Sequence, residues 1–163
     1  ASTCFSETGA TGMQKEGYPY GTGYIGLCSK GSIFSVLDYV DLFLFDLKLA
    51  GDEEHKLYTG VSNKIIKDNL RMLVDLGRGN DVILRFPVIP GITDTEKNVN
   101  CLVEFVSELR GINEIDLLPF HDVSEKYNRL GMEYKMTVRQ APEREKLKQI
   151  KQKFQEAGLH VKL

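Results

Sequence analysis

The stretch "VDLFLFDLKLA", Val40 to Ala50, places an aspartate and a lysine at the end of an otherwise apolar run. Side chains alternate across a strand, so Leu42, Leu44, Asp46 and Lys48 share one face and Phe43, Phe45 and Leu47 the other. Both faces begin apolar, the pattern of a parallel strand covered on each side. Only the carboxyl end of one face turns polar. Ligands in α/β folds gather at the carboxyl ends of strands, so the fold turns on whether neighbouring segments repeat this pattern.

From Tyr39 onward strand-like and helix-like segments alternate. "DEEHKLYTGVSNKIIKDNLRMLVDLG" reads as helix in two parts, broken at Tyr58-Thr59-Gly60. The second part, from about Ser62, spaces Ile65, Ile66, Leu70, Leu73 and Val74 helically and stops at Gly77. "DVILRFPVIPG" is a strand with Pro87 late in it and a Pro90-Gly91 turn. "TDTEKNVNCLVEFVSELRG" is a helix with Thr93 or Asp94 as N-cap and Val99, Leu102, Val103 and Val106 on one stripe. "INEIDLLPF" is a strand, and "HDVSEKYNRLGMEYKMTVRQ" a long loop. "APEREKLKQIKQKFQEAG" opens with Pro142, buries Leu147, Ile150 and Phe154, and closes at Gly158; "LHVKL" adds a short strand. This β-α-β-α-β-α-β series predicts an α/β fold with a parallel sheet and right-handed crossovers. Before Tyr39, "YPYGTGYIGL" offers one further strand, weakened by its glycines, and Ala1 to Thr11 show no period.

The 163 residues fit one domain or part of a larger one. With 42% hydrophobic and 27% charged residues there is material for a packed core. A formal net charge of -2, with both signs mixed along the chain, gives no electrostatic reason to expect nucleic acid or an anionic membrane. No run approaches the roughly 18 apolar residues of a membrane span, and "ASTCFSETGATG" lacks the regions of a signal peptide, so a reducing, cytoplasmic setting is expected. Cys4, Cys28 and Cys101 stand too far apart for a close-spaced metal or redox motif and read as buried or spare thiols.

Three strand ends carry the candidate chemistry. Asp46 and Lys48 end the first; Arg85 lies between Leu84 and Phe86 on the face of Ile83 and Pro87; the third runs through "LLPFH" into His121. A guanidinium inside an apolar strand is costly unless paired, and its partner is either Asp46 alone, as a structural ion pair, or an anionic ligand group. Asp46 and Lys48 read equally as a mutual pair or a helix cap, and a histidine after a strand is commonly structural. His55 and His160 are expected on the solvated surface.

The segments "DLFLFDLK", "HKLYTGVSNKIIKDNLRML", "LRFPVIPGITDTEKNV", "IDLLPFH" and "YNRLGMEYKM" resemble, in order and spacing, the C-terminal part of radical S-adenosylmethionine (SAM) glycyl radical enzyme activating enzymes of the pyruvate formate-lyase activating enzyme type. The match runs from about Ser35 to Leu163, leaving residues 1–34 as a poorly matched segment with room for one strand. It implies a partial parallel (β/α) barrel, about four of the six strands of a radical SAM barrel. In that family a [4Fe-4S] cluster cleaves S-adenosylmethionine to a 5′-deoxyadenosyl radical, which takes a hydrogen atom from a glycine of the partner, a glycyl radical enzyme. By position, Lys48, Arg85 and His121 match residues lining the S-adenosylmethionine pocket. Asp46 matches an acidic residue at a monovalent cation site, and the "YNRLGMEY" loop lies where the partner peptide approaches.

The family's CxxxCxxC cluster motif and GGE motif are absent, and a family acidic residue falls near Gly23. The intervals between Cys4, Cys28 and Cys101 are too long for an iron site. The expectation is therefore a fragment or truncated homologue: S-adenosylmethionine and [4Fe-4S] serve the intact parent, while this chain holds no cluster and no catalytic residue. The alternatives are a cluster-free small-molecule binding module and a partner-interaction domain. An open strand edge near "YGTGYIGL" also predicts self-association.

Overall fold

The computed structural model describes residues 22–24, 28–122, 124–131 and 137–163. Five strands, β1 (Thr22–Tyr24), β2 (Leu42–Asp46), β3 (Val82–Val88), β4 (Glu114–Pro119) and β5 (His160–Lys162), form one sheet in sequence order. Every neighbouring pair is parallel. A sheet that adds each strand beside the last is that of a partial (β/α) barrel, not of a doubly wound sheet, whose strand order reverses. The expected four strands are present, and the fifth is β1, within the glycine-rich stretch.

Among the described residues six α-helices accompany them: α1 (Lys30–Phe34), α2 (Asp52–Thr59), α3 (Lys64–Asp75), α4 (Glu96–Ser107), α5 (Ser124–Arg129) and α6 (Arg144–Glu156). Helix α5 falls where the sequence reads as loop. The N-cap of α4 is Thr95, whose hydroxyl accepts from the Asn98 amide at 3.3 Å, not Thr93 or Asp94. Thr93 instead closes the turn after β3, donating to the Pro87 carbonyl at 2.6 Å and accepting from the Ile89 amide at 2.7 Å.

The strands are covered unequally. Phe43, Phe45, Leu84, Phe86, Ile115 and Leu117 are all at most 1% exposed. They join one core with Ile66, Leu70 and Leu73 of α3, Val99, Leu102 and Val106 of α4, and Leu147, Ile150 and Phe154 of α6. Phe154 meets Phe86 edge-on, with ring centroids 5.8 Å apart. Of the helically spaced apolar residues of α3, Ile65 is exposed and Val74 is half-buried against the core; Asn69 is buried there and donates to the Cys28 carbonyl at 2.9 Å. The opposite sheet face, with Leu42, Leu44, Asp46, Ile83, Arg85 and Asp116, is only half-buried. Coverage on both faces, expected from the apolar start of the first strand, is therefore not found among the described residues. Phe43 and Phe45 point into the helical layer, and Leu42 and Leu44 line the open side.

Candidate ligand site at the carboxyl edge of the sheet

Parallel register sets the site. Asp46 of β2 pairs with Arg85 of β3, Arg85 with Asp116 of β4, and Asp116 with Lys162 of β5. Cross-strand partners in a parallel sheet face the same way, so four charged residues of alternating sign form a row on the open face. The row joins up at its β2 end. Arg85 Nε donates to Asp46 Oδ1 at 2.8 Å and its Nη2 donates to the same oxygen. Lys48 Nζ lies 3.8 Å from Asp46 Oδ2.

Asp46 therefore stands between two cations, and the three side chains sum to one positive charge. The Arg85 side chain is 19% exposed, against 36% for Asp46 and 42% for Lys48, so the cluster is walled on its Arg85 side and open on its Lys48 side. A partly desolvated cationic cluster at a strand edge is suited to a carboxylate or another small anion. The structural ion pair between Arg85 and Asp46 is present, and it leaves the Lys48 ammonium at the solvent side.

His121 sits apart from this group. It is exposed, two residues past the end of β4, after Phe120 has donated its amide to the Val88 carbonyl at 3.0 Å. It shares the carboxyl edge, but among the described residues no hydrogen bond joins it to Asp46, Lys48 or Arg85. Just beyond it, Asp122 accepts from the Ser124 amide at 2.9 Å, which holds its carboxyl below the ordinary value.

Two members of the row are legible only through register. Asp116 interrupts the apolar strand "EIDLLPF" as Arg85 interrupts its own; its Oδ1 is buried without a hydrogen-bond partner. Lys162 donates to Glu114 Oε1 at 2.6 Å, which raises the lysine pKa. His160 is exposed, as expected, but His55 is not on the surface. It is 2% exposed, and its Nδ1 donates to the Val61 carbonyl at 2.8 Å, so the imidazole braces the turn after α2 at Gly60.

Cys28 is buried beside the core, Cys101 is exposed on α4, and Cys4 lies outside the described residues. Among the described residues no three His, Cys, Asp or Glu side chains gather as metal ligands. Gly23, where the resemblance places an acidic residue, pairs with Phe43 in β1 and offers no donor. The "YNRLGMEY" loop falls partly outside the described residues.

No family model matches the chain. It is 34% identical over 126 residues to the trans-4-hydroxy-L-proline dehydratase activating enzyme of Clostridioides difficile, covering 76% of this chain and 41% of that protein. It is 28% identical over 127 residues to the pyruvate formate-lyase-activating enzyme of Clostridium pasteurianum, covering 77% of this chain and 52% of that one. The chain thus spans about half the length of these curated relatives or less. A crystal structure of a domain of pyruvate-formate lyase-activating enzyme from Bacteroides vulgatus superposes with a TM-score of 0.66 at 28% identity, over 83% of this chain and 74% of that domain. The sheet order, the partial barrel and the sequence similarity agree: the chain is a homologue of the glycyl radical enzyme activating enzymes, pyruvate formate-lyase activating enzyme among them.

Proposed function

We propose that the carboxyl edge of this sheet is part of an S-adenosylmethionine pocket in an enzyme that activates a glycyl radical enzyme in the cytoplasm. The observation that supports this most is the cluster of Asp46, Arg85 and Lys48, which holds a net positive charge where a ligand carboxylate would sit. Arg85, oriented by Asp46, and Lys48 are the carboxylate-facing cations of this reading. His121 lies at the outer rim, in reach of the nucleoside end of a ligand extended along the edge. Asp46 is the residue assigned to a monovalent cation site, and Arg85 and Lys48 already supply positive charge there.

A [4Fe-4S] cluster supplies the electron in radical SAM chemistry, but the cysteines of these 163 residues do not fit one. Their spacing fails and the two described thiols lie on the helical side. The role of these residues is thus binding and orientation of the ligand. A second reading is a cluster-free binding module that uses the same anion-binding edge, which the net positive charge of Asp46, Arg85 and Lys48 would also serve.

Titration calorimetry with S-adenosylmethionine tests the first reading. The chain is expected to bind it, and to prefer it to 5′-methylthioadenosine, which has no amino-acid carboxylate. Arg85→Met should weaken binding by about tenfold, roughly 1.4 kcal/mol, and erase that preference. Binding that ignores both Arg85→Met and Lys48→Met, or equal affinity for the two ligands, would overturn it.

A further inference from the structure

Beyond its last strand residue, β2 leads into Leu47 to Ala50, a segment without regular structure that carries Lys48. Lys48 has a long, partly exposed side chain, so where its ammonium can reach is set chiefly by its backbone. In an irregular segment that backbone needs side-chain partners, because buried peptide groups left unpaired are costly. The partners are unusually complete. Asn98 Oδ1 accepts from the Ala50 amide at 2.7 Å, and Asn98 Nδ2 donates to the Lys48 carbonyl at 3.0 Å. Asn63 Nδ2 donates to the carbonyls of Leu49 and Ala50, each at 2.9 Å, and Lys67 Nζ donates to Ala50 at 2.7 Å.

Asn98 does more than hold one loop. Its Nδ2 also donates to the Thr93 carbonyl at 2.8 Å, and Thr93 closes the turn that follows β3, the strand of Arg85. Asn98 is 3% exposed and Thr93 1%. One amide from the first turn of α4 therefore joins the loop bearing Lys48 to the turn beyond Arg85. An amide alone meets the need, since one acceptor must face an amide while two donors face carbonyls. Only one orientation of the group serves all three.

We infer that Asn98 is a positioning residue for Lys48: through its triple contact it fixes the register of the β2 and β3 ends, and so the spacing of the Lys48 and Arg85 cations that receive the ligand carboxylate. This rests on the S-adenosylmethionine reading above. A residue acting only on stability would lower affinity irrespective of Lys48. A residue acting through Lys48 loses its influence on the ligand once Lys48 is removed.

The test is a double-mutant cycle in the full 163-residue chain. Asn98→Asp, which keeps the acceptor and loses both donors, is combined with Lys48→Met, and both S-adenosylmethionine affinity and Tm are measured. With Lys48 present, Asn98→Asp should weaken binding about fivefold; in the Lys48→Met background the further loss should be under about twofold, while the drop in Tm is the same in both. Equal affinity losses in the two backgrounds, or none with Lys48 present, overturn the inference. Hydrogen exchange of the Ala50 amide in the unaltered chain is a second measurement, independent of ligand and of whether the variants fold. Protection well above that of the exposed α2 amides supports the clamp, and free exchange refutes it. Failure of the unaltered chain to bind S-adenosylmethionine would refute the functional reading, and the clamp would then be decided by the Ala50 amide.

Discussion

On the helix-covered face of the sheet, Phe43, Phe45, Leu84, Phe86, Ile115 and Leu117 are nearly inaccessible; on the other face the same strands set Leu42, Leu44, Asp46, Ile83, Arg85 and Asp116 half in the open. Each strand thus carries two sets of residues a single position apart, one serving packing and the other charge. The covered face draws its stability from burial, at about 1.5–3 kcal/mol per fully buried large apolar side chain. The open face gains little from its ion pair, because charges in contact with water attract weakly. The two faces should therefore respond differently to mutation, the first in stability and the second in ligand affinity.

The sharpest way to break that contrast is a large cavity on the covered face. Phe86 is fully buried and meets Phe154 edge-on, so Phe86→Ala should lower unfolding free energy by about 3–5 kcal/mol in denaturant titration. A loss under about 1 kcal/mol would mean that the helices do not close over β3 as described. A second probe lies at the amino end of the sheet, far from the charged edge. A Cβ on Gly79 would stand 2.7 Å from the Arg110 carbonyl oxygen and 3.1 Å from the Gly111 carbonyl carbon, both backbone atoms. Gly79→Ala should cost about 1–3 kcal/mol by overpacking while leaving ligand affinity unchanged. A matched loss of affinity would show that the two ends of the sheet are coupled.

On the open face the balance reverses. Asp46→Asn keeps an acceptor for Arg85 but removes the charge that holds both cations, and the stability cost should stay within about 1 kcal/mol. The ligand effect is expected to be larger, because Arg85 and Lys48 lose their shared anchor. A variant that unfolds in parallel with its loss of binding would place the pair among the structural ion pairs, the bland reading of this cluster.

The same two faces explain how far the sequence could be read. Alternation in "LFLFD" and "VILRFPV" gives strand and parity within each strand, and the β-α-β order gives parallel pairing. What alternation cannot give is register. Asp116 and Lys162 join the row only when β4 and β5 are aligned residue by residue, which depends on packing over more than a hundred positions of chain. The burial of His55 is hidden in the sequence for a different reason. Its neighbours in "DEEHKLYT" are charged, yet one position of a short helix turns inward, and the Val61 carbonyl accepts from Nδ1 of the buried imidazole. Asn98 offered no signal at all, since a polar residue in a first helical turn is ordinary until its three distant partners are known.

The smallest effect should come from Asp52, which braces the α2–α3 junction beside the clamp without touching the charged edge. Its carboxylate lies 2.8 Å from Lys56 Nζ and accepts from Ser62 Oγ at 2.5 Å and from the Asn63 amide at 3.0 Å. The Lys56 contact first, then Ser62 and Asn63, hold its pKa well below the ordinary carboxylate value of 3.8. Because the folded value is the lower one, the unfolded chain takes up the proton first as pH falls. The stabilisation is therefore complete above the ordinary carboxylate range and is lost as pH drops from there toward the folded value. Asp52→Asn should lower Tm at neutral pH, and the gap between variant and parent should close as pH falls below 4, a bound set by the ordinary carboxylate pKa. A gap that persisted unchanged into strong acid would show that the charge on Asp52 stabilises nothing through Lys56, Ser62 or Asn63. Since Asn63 donates to the Leu49 and Ala50 carbonyls, a concurrent rise in exchange of the Ala50 amide in this variant would tie the junction to the loop that presents Lys48.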